Sequence, residues 1–592
     1  MTILIKYSAK EATQSNLGAL KRVIGKGTYL NQVNGTPISL SPGLPDLEDQ
    51  FAQLGFVDLR AHDWYGVADI DSYYDTNRKG YIGQITNNSP EDKVVQIKSF
   101  AMDFFNRRTI CLNSTAFYSG KETAKLNWEP TDSYFKRSLS NKYYKGKEKP
   151  NILFRVGRML DGGRGIPTNV DKYCEIVKQV VSRYSKDYKT TGLPYPITEY
   201  EIWNEPDLGL FWSTPDSPEN VVKNFYEFYS KVSKAIRSVY PDAKIGPCGT
   251  ANAYGNKDYV DDLIEYINKN KLPFDFYSYH FYADATGDHK NIFEIQKYVK
   301  GVLNKHKYDK VKTYISEWNL TAYGSKENNS KLQSVFAGSF MVSFLINAEQ
   351  AGIDKAYLYR ADGAEFGLFD DRNSDIDPSK KDFATYAAQC MYLYNQFAIK
   401  REKPIVLKED PSKYGITTAG SKNTSGDELV FLLSNHKVDI NYVGDGNKNK
   451  LPPNAPLLTQ HYIDSNIPAD KIDLKKWYGS NSAPDINKNN PGDIIEGKYS
   501  SNDNSRLTKD SSDHSQSRNG YHIQVSDIPS KFTKFTATFK RVYFGGQLTS
   551  LDGETVILKD INVSPGNIID LIGNVPEKAG DNTVVLITVK LS

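Results

Sequence analysis

Tyr200-Glu-Ile-Trp-Asn-Glu-Pro-Asp207 is the stretch on which the fold turns. A short apolar strand runs into an Asn-Glu pair and stops at Pro206. Proline has no amide hydrogen for a ladder and biases the residue before it towards extended geometry. The expectation is therefore a carboxylate, Glu205, on the last rung of a strand. A second glutamate stands in a similar setting in Tyr314-Ile-Ser-Glu-Trp-Asn319. Two strand-end glutamates point to a paired-carboxylate hydrolase, provided that the strands around them bring the two together.

Working outward, residues 20–27 read as a first short strand ending in a glycine-bearing loop. Leu47, Phe51 and Leu54 fall at helical spacing, and Gly55 ends that helix. Residues 56–62 form the next strand, with Arg60 and His62 on one face because side chains alternate. A long Tyr- and Asn-rich excursion, 65–149, reads as a lid or substrate wall. The strand at 151–157 follows, then a helix marked by Tyr173, Ile176, Val177, Val180, Val181 and Tyr184, then the strand ending at Glu205. Ser217 and Pro218 make an N-cap and first-turn pair for a helix whose stripe is Val221, Phe225, Phe228, Val232 and Ile236. Strands at 244–248 and 274–281, one ending at Glu317, and one at 355–360 complete the series, with helices near 263–267, 292–303 and 335–348. Eight strands mostly separated by helices argue for a parallel sheet closed into a (β/α)8 barrel, an α/β fold. The working face of such a barrel is the carboxyl end of its strands, where Glu205, Glu317, His62 and His280 fall.

The barrel is expected over 20–400. Beyond 400 the texture changes: 428–434, 535–539 and 583–589 are strand-like without helical periodicity, which suggests a β-sandwich accessory domain over 401–592. Within it, 480–518 is dense in Asn, Ser, Asp and Lys and reads as a long surface loop or a disordered insert. The N-terminal segment 1–19 carries a candidate extra strand for that sandwich at 3–6.

With 74 basic and 71 acidic residues, the net charge of +3 is too balanced to argue for nucleic acid or an anionic membrane as partner. No apolar run approaches a membrane span, and no signal peptide is visible. The expectation is a soluble protein, cytoplasmic, or secreted if a leader has been removed. The four cysteines, Cys111, Cys174, Cys248 and Cys390, are too scattered for a metal motif. Two of them lie in apolar runs and read as small buried hydrophobes. His62 and His280 bring no third ligand at recognisable spacing, so neither metal nor cofactor is expected. Tyrosine and tryptophan suit stacking on sugar rings, and they equally suit strand packing.

Glycosidic bonds are cleaved by two carboxyl groups flanking the anomeric carbon, one of which protonates the leaving oxygen. Glu205 and Glu317 have the residue type and the predicted location for that pair. Arg60 sits near either Glu317 or another interior carboxylate such as Glu201, and Trp318 either lines the pocket or packs against the barrel wall.

Trp203-Asn-Glu-Pro206 and Ser316-Glu-Trp-Asn319 resemble the two signatures of clan A glycoside hydrolases. The surrounding pattern is most similar to glycoside hydrolase family 39, which includes β-xylosidases and α-L-iduronidases. Ile24-Gly-Lys-Gly27, Gly55-Phe-Val-Asp-Leu-Arg-Ala-His62 and Phe274-Asp-Phe-Tyr-Ser-Tyr-His-Phe-Tyr282 carry the likeness, over roughly residues 20–400. The resemblance implies a retaining glycosidase acting on an oligo- or polysaccharide, β-xylosidase-like by default. It implies Glu205 as acid/base, Glu317 as nucleophile, and Asn204 bonding the sugar hydroxyl beside the anomeric carbon. Arg60 would keep Glu317 ionised, His280 and Tyr282 would position Glu317 or the sugar, and His62 would reach a sugar hydroxyl. The eighth strand departs from the pattern, offering Tyr357, Tyr359 and Arg360 where many members place a tryptophan; Arg360 there suits an acidic sugar. The alternatives are an endo-acting hydrolase of a microbial exopolysaccharide and a non-catalytic carbohydrate-binding protein.

Overall fold

The computed structural model describes residues 3–26, 30–35, 47–62, 74–75, 80–81, 110–111, 125–126, 128–139, 151–157, 169–208, 211–212, 224–283, 287–322, 332–361, 366–369, 385–436, 521–543, 551–573 and 582–592. Strand β1 (Ile3–Glu11) belongs to a second sheet, and the barrel begins after it. Its strands are β2 (Gln32–Asn34), β3 (Asp58–Ala61), β4 (Asn151–Val156), β5 (Glu199–Ile202), β6 (Lys244–Pro247), β7 (Phe276–Tyr282), β8 (Lys312–Asn319) and β9 (Lys355–Leu358). They pair in parallel in the order β6-β5-β4-β3-β2-β9-β8-β7. A parallel bridge between Thr250 and Tyr279 brings the ends of that order together, so the sheet closes. Eight strands of this kind make the (β/α)8 barrel expected from the alternation.

The first strand is not where the sequence pattern placed it. Residues 20–26 are irregular, and the first barrel strand is Gln32–Asn34. A three-residue strand carries too little alternation to be read, and the apolar Leu20 packs instead against the core of the second sheet. The Ser217–Pro218 cap lies outside the described residues, as do Val221 and most of the 65–149 excursion. The described helix there, α4 (Phe225–Val239), is capped by Asn224, whose side chain accepts from the Tyr226 amide.

The other helices are α1 (Glu48–Leu54), α2 (Glu129–Ser138), α3 (Val170–Val181), α5 (Lys257–Lys269), α6 (Asn291–Lys305), α7 (Val335–Ala351) and α8 (Tyr386–Lys400). Gly55 ends α1 in the left-handed conformation, at φ 68. Inside the stretch read as a loop, α2 seats Phe135 edge-on against Phe154 and Tyr184. Asn169 caps α3, and Tyr173, Ile176, Val177, Val180 and Val181 are its buried face. Cys174, Cys248 and Cys390 are free and buried, as small hydrophobes.

Side-chain alternation sorts the barrel strands into two faces. Ile152, Phe154, Val156, Tyr200, Ile202, Tyr277, Tyr279 and Ala356 join the outer core beneath the helices. Leu153, Phe276, Tyr314 and Tyr357 form a separate layer inside the barrel. Phe276 and Tyr314 stack there with ring centroids 4.4 Å apart. Gly246 gives Phe276 its space, since a Cβ at 246 would lie 2.4 Å from that ring. Above this layer, at the carboxyl ends, the inward residues become polar.

The second sheet adds β10 (Lys403–Leu407), β11 (Ile416–Lys422), β12 (Glu428–Asn435), β13 (Tyr521–Ser526), β14 (Lys534–Val542), β15 (Glu554–Asn562), β16 (Ile569–Gly573) and β17 (Thr583–Leu591). With β1 it runs β15-β14-β17-β12-β11-β10-β1-β13-β16, and its inner faces share one core from Ile5 to Leu591. This is the expected sandwich. Leu429, Phe431 and Leu433 face that core, while Val430 and Leu432 face the barrel helices. Burial on both faces explains the unbroken apolar run of β12. Helix α7, buried over nearly all its length, fills the space between barrel and sheet. The polar stretch 480–518 lies outside the described residues.

Gly246→Ala tests the barrel filling. Overpacking against Phe276 should lower stability by about 1–3 kcal/mol, read as a lower urea midpoint at unchanged slope. An unchanged midpoint would show that the interior has room the structure does not contain.

Candidate active site

The regular alternation breaks before each glutamate, within β8 for Glu317 and past the end of β5 for Glu205. In β8, Tyr314 faces the barrel interior and Ile315 the helices. Regular alternation would turn Trp318 inward with Tyr314 and leave Glu317 outside. The register with β7 and with β9 instead shifts by one residue around Ser316, a β-bulge. Glu317 thereby turns inward, and Trp318 turns outward against Phe344 of α7, with ring centroids 4.5 Å apart. Of the two places open to Trp318, lining the pocket or packing on the barrel wall, the structure gives the second: the bulge puts its indole in the outer core. The Asn34 side chain holds the bulge, donating to the Ser316 carbonyl at 2.8 Å and to that of Tyr357 at 3.2 Å.

In β5 the ladder ends at Ile202, so Glu205 is not on the last rung as expected but in the turn beyond it. Trp203 and Glu205 both have positive φ, 75 and 46, a conformation that costs a non-glycine residue about 1–3 kcal/mol. The left-handed turn at Trp203 keeps its indole among the outer rings, edge-on to Trp212 and Phe228. Its Nε1 donates to the Phe211 carbonyl at 3.1 Å. The Glu205 amide donates to the carbonyls of Cys248 and Gly249 at 3.0 and 3.1 Å, which fixes the turn against β6.

The side chains converge on Glu317. Arg60 Nη1 lies 2.7 Å from its Oε1, His62 Nε2 3.1 Å from the same oxygen, and the Tyr282 hydroxyl donates to Oε2 at 2.7 Å. Arg60 also binds Glu201 Oε2 through Nε at 2.6 Å, Asn34 Oδ1 through Nη1 at 3.1 Å and Asn204 Oδ1 through Nη2 at 2.8 Å. Arg60 thus serves Glu317 and Glu201 at once. His280 Nδ1 is 2.7 Å from Glu205 Oε1 and 3.5 Å from Glu317 Oε2. An oxygen of each glutamate and a ring nitrogen of His280 all lie within 4.8 Å of one another. That spacing would also accept a metal ion, but the Arg60 guanidinium against Glu317 would repel one.

Environment drives the two carboxyls apart. Burial raises Glu205, and the charge on Glu317 adds to this, outweighing the opposing pull of His280. Burial acts to raise Glu317 too, but His280, Arg60 and the Tyr282 hydroxyl together hold it below the usual carboxylate range. His280 is raised: burial works against its charge, but Glu317 and Glu205 prevail. His62 is held well below the ordinary imidazole value by burial and then by Arg60 and Arg155. Arg155 Nε donates to His62 Nδ1 at 3.2 Å, so the neutral ring carries its proton on Nε2, aimed at Glu317.

Arg60, His62, Asn204, Glu205, His280, Tyr282 and Glu317 are thus brought together. Arg360 is buried beyond the end of β9, where its charge also acts on His62. Sequence reasoning missed Asn34 and Arg155 as members of the site and did not anticipate Glu201 as a simultaneous partner of Arg60. Arg155 shares the inward face with Leu153, a signal that strand alternation carried; Asn34 lies on the strand placed too early.

The model of "Glycosyl hydrolases family 39" matches residues 160–351, which include both glutamates, His280 and Tyr282. A β-xylosidase of Geobacillus stearothermophilus is 27% identical over 128 residues, 22% of this chain and 23% of that enzyme. The matched stretch is thus under a quarter of that relative's length. Two solved structures share the fold over the whole chain. A glucosidase from Croceicoccus marinus has a TM-score of 0.60 at 16% identity, covering 100% of this chain and 99% of that one. A GH39 enzyme from Xanthomonas axonopodis pv. citri has a TM-score of 0.57 at 13% identity, covering 100% and 98%. No described helix is long and apolar enough to cross a membrane.

The carboxyl assignment can be checked by isotope-edited infrared spectra through a pH titration. Glu205 should take up its proton above the pH of an ordinary glutamate, and Glu317 below it. Glu205→Gln should remove the higher transition and Glu317→Gln the lower; the opposite order would reverse the roles that the environment assigns.

Proposed function

We propose that this chain, which through residues 160–351 belongs to glycoside hydrolase family 39, is a retaining glycosidase with β-xylosides as its first candidate substrates. The observation that carries the reading is the Glu205–Glu317 pair, with oxygens within 4.8 Å and environments that push their pKa values in opposite directions. Retaining enzymes set their carboxyl groups about 5–5.5 Å apart, whereas inverting ones leave about 6.5–9.5 Å for a water. The β-xylosidase match supports the choice of sugar.

Glu317, ionised between Arg60, His62 and Tyr282, attacks the anomeric carbon. Glu205 protonates the departing oxygen as that bond breaks. A covalent glycosyl–enzyme remains, joined through a Glu317 oxygen. Glu205, now a carboxylate, takes a proton from water as the water attacks the same carbon, which frees Glu317 and restores the starting protonation. Two inversions return the original anomeric configuration. Asn204, held by Arg60, offers its amide to the hydroxyl next to the anomeric carbon. The Glu205 side chain stays 13% exposed against 7% for Glu317, which suits the group that must meet water. A binding protein without catalysis would have no use for two carboxyls tuned in opposite directions.

The test is hydrolysis of aryl β-D-xylosides, with a panel of other aryl glycosides and polysaccharides beside them, followed by NMR of the first product anomer. Retention is expected. Glu317→Ala should remove turnover by at least about 10³-fold. Glu205→Ala should cost about 10²–10⁴-fold, recovered in part by azide as an external nucleophile. Inversion of configuration, or near-full turnover in either variant, would sink the reading.

A further inference from the structure

Asp207 stands two residues beyond Glu205, and its carboxylate is fully engaged. Oδ1 accepts from the Ala251 amide at 2.9 Å; Oδ2 accepts from the Asn252 amide at 3.1 Å and from Asn256 Nδ2 at 2.9 Å. All three donors belong to the turn that follows β6. That same turn closes the barrel. The Thr250 amide donates to the Ser278 carbonyl at 3.3 Å, and the His280 amide donates to the Thr250 carbonyl at 2.9 Å.

These contacts form a ring. It runs from Glu205 through Pro206 to Asp207, across to Ala251, back to Thr250, across to His280, and from His280 Nδ1 to Glu205 Oε1 at 2.7 Å. We propose that Asp207 is a positioning residue for Glu205, locking the acid/base turn to the turn that holds His280 and so setting the spacing between Glu205 and His280. The inference rests on the glycosidase reading of Glu205. Glu205 needs such a lock because its own φ of 46 is not a conformation the residue would keep unaided. Asp207 also brings a negative charge that favours the protonated form of Glu205, after the larger effects of burial, His280 and Glu317.

In the glycosylation step a positioning role acts through proton donation, so there it separates substrates by leaving group. A dinitrophenyl glycoside departs without a proton, while a methylumbelliferyl or alkyl glycoside needs one. Asp207→Asn keeps the shape but removes the charge and sets an amide donor against backbone donors. The variant should cleave the poor-leaving-group glycoside about 10–100-fold more slowly, with the dinitrophenyl glycoside within about threefold in the glycosylation step. The basic limb of kcat/KM should move to lower pH; His280 and Glu317 are the other ionisable groups facing Glu205 and are untouched by the substitution. Asn256→Ala, which removes one donor and keeps the charge, should show a smaller loss of the same kind with the basic limb in place. It also serves if Asp207→Asn does not fold.

Equal losses on both glycosides would make Asp207 a plain loop staple, and no loss on either would leave it without a role; each outcome overturns the proposal. Wild-type protein that cleaves neither glycoside, nor any other aryl glycoside, would instead bring down the glycosidase reading, and this inference with it.

Discussion

A guanidinium enclosed in a barrel must be neutralised where it stands. Arg60 has no exposed surface, and taking such a charge from water costs about several kcal/mol. The barrel answers with two carboxylates and two amide oxygens, from Glu201, Glu317, Asn204 and Asn34, on three strands and the turn that follows one of them. Lysine could not substitute, because a planar fork with five donors is needed to reach four groups in fixed directions. The consequence reaches the chemistry. Glu317 is held below the usual carboxylate range by His280 and then by Arg60, and the buried Arg60 charge is tolerable because Glu317 and Glu201 stand against it. Asn34 links this cluster to the backbone: one end of its amide accepts from Arg60 and the other supports the Ser316 bulge that turns Glu317 inward.

The two glutamates reach the pocket by one device in two forms. Strict alternation would turn Glu317 outward with Ile315, and it would turn Trp203 inward with Glu201. In β8 an extra residue at Ser316 resets the phase. In β5 a left-handed Trp203 does so, and the strand never resumes. In each case the indole packs outward, against Phe344 for Trp318 and against Trp212 and Phe228 for Trp203. The tryptophans flanking the glutamates therefore act as anchors. Their outward packing stabilises the backbone break that aims the carboxylate.

This explains what could be read from the residues and what could not. Apolar periodicity located most of the barrel strands and helices, because burial beneath the helices requires it. That Arg60 shares a face with His62 at the end of β3, and His280 with Tyr282 on β7, followed from period two, since neither strand breaks phase before those residues. The breaks themselves were not visible. A bulge is a property of two neighbouring strands, and a positive φ at Trp203 depends on rings that arrive from α4 and from Trp212. Which of its two places Trp318 takes was not legible for that reason. The first strand was misplaced because three residues, Gln32 to Asn34, hold too little pattern to compete with the apolar cluster just before them.

The two histidines show how far position outweighs residue type. Burial, and then the charges of Arg60, Arg155 and Arg360, favour the neutral form of His62, and Arg155 directs the remaining proton towards Glu317. His280 sits between Glu317 and Glu205, so its charged form is favoured despite burial. Each then contributes in a different way: His62 as a hydrogen-bond donor that adds no charge, His280 as a cation shared by two acids. A cation at His280 draws Glu205 towards ionisation, against the need for an acid that holds its proton. Burial and the neighbouring Glu317 charge act the other way and prevail. Glu205 thus holds its proton to higher pH than an ordinary glutamate, despite the pull of His280. A residue poised in that way depends on its distance from His280, and the carboxylate of Asp207 is placed to fix that distance from the backbone side.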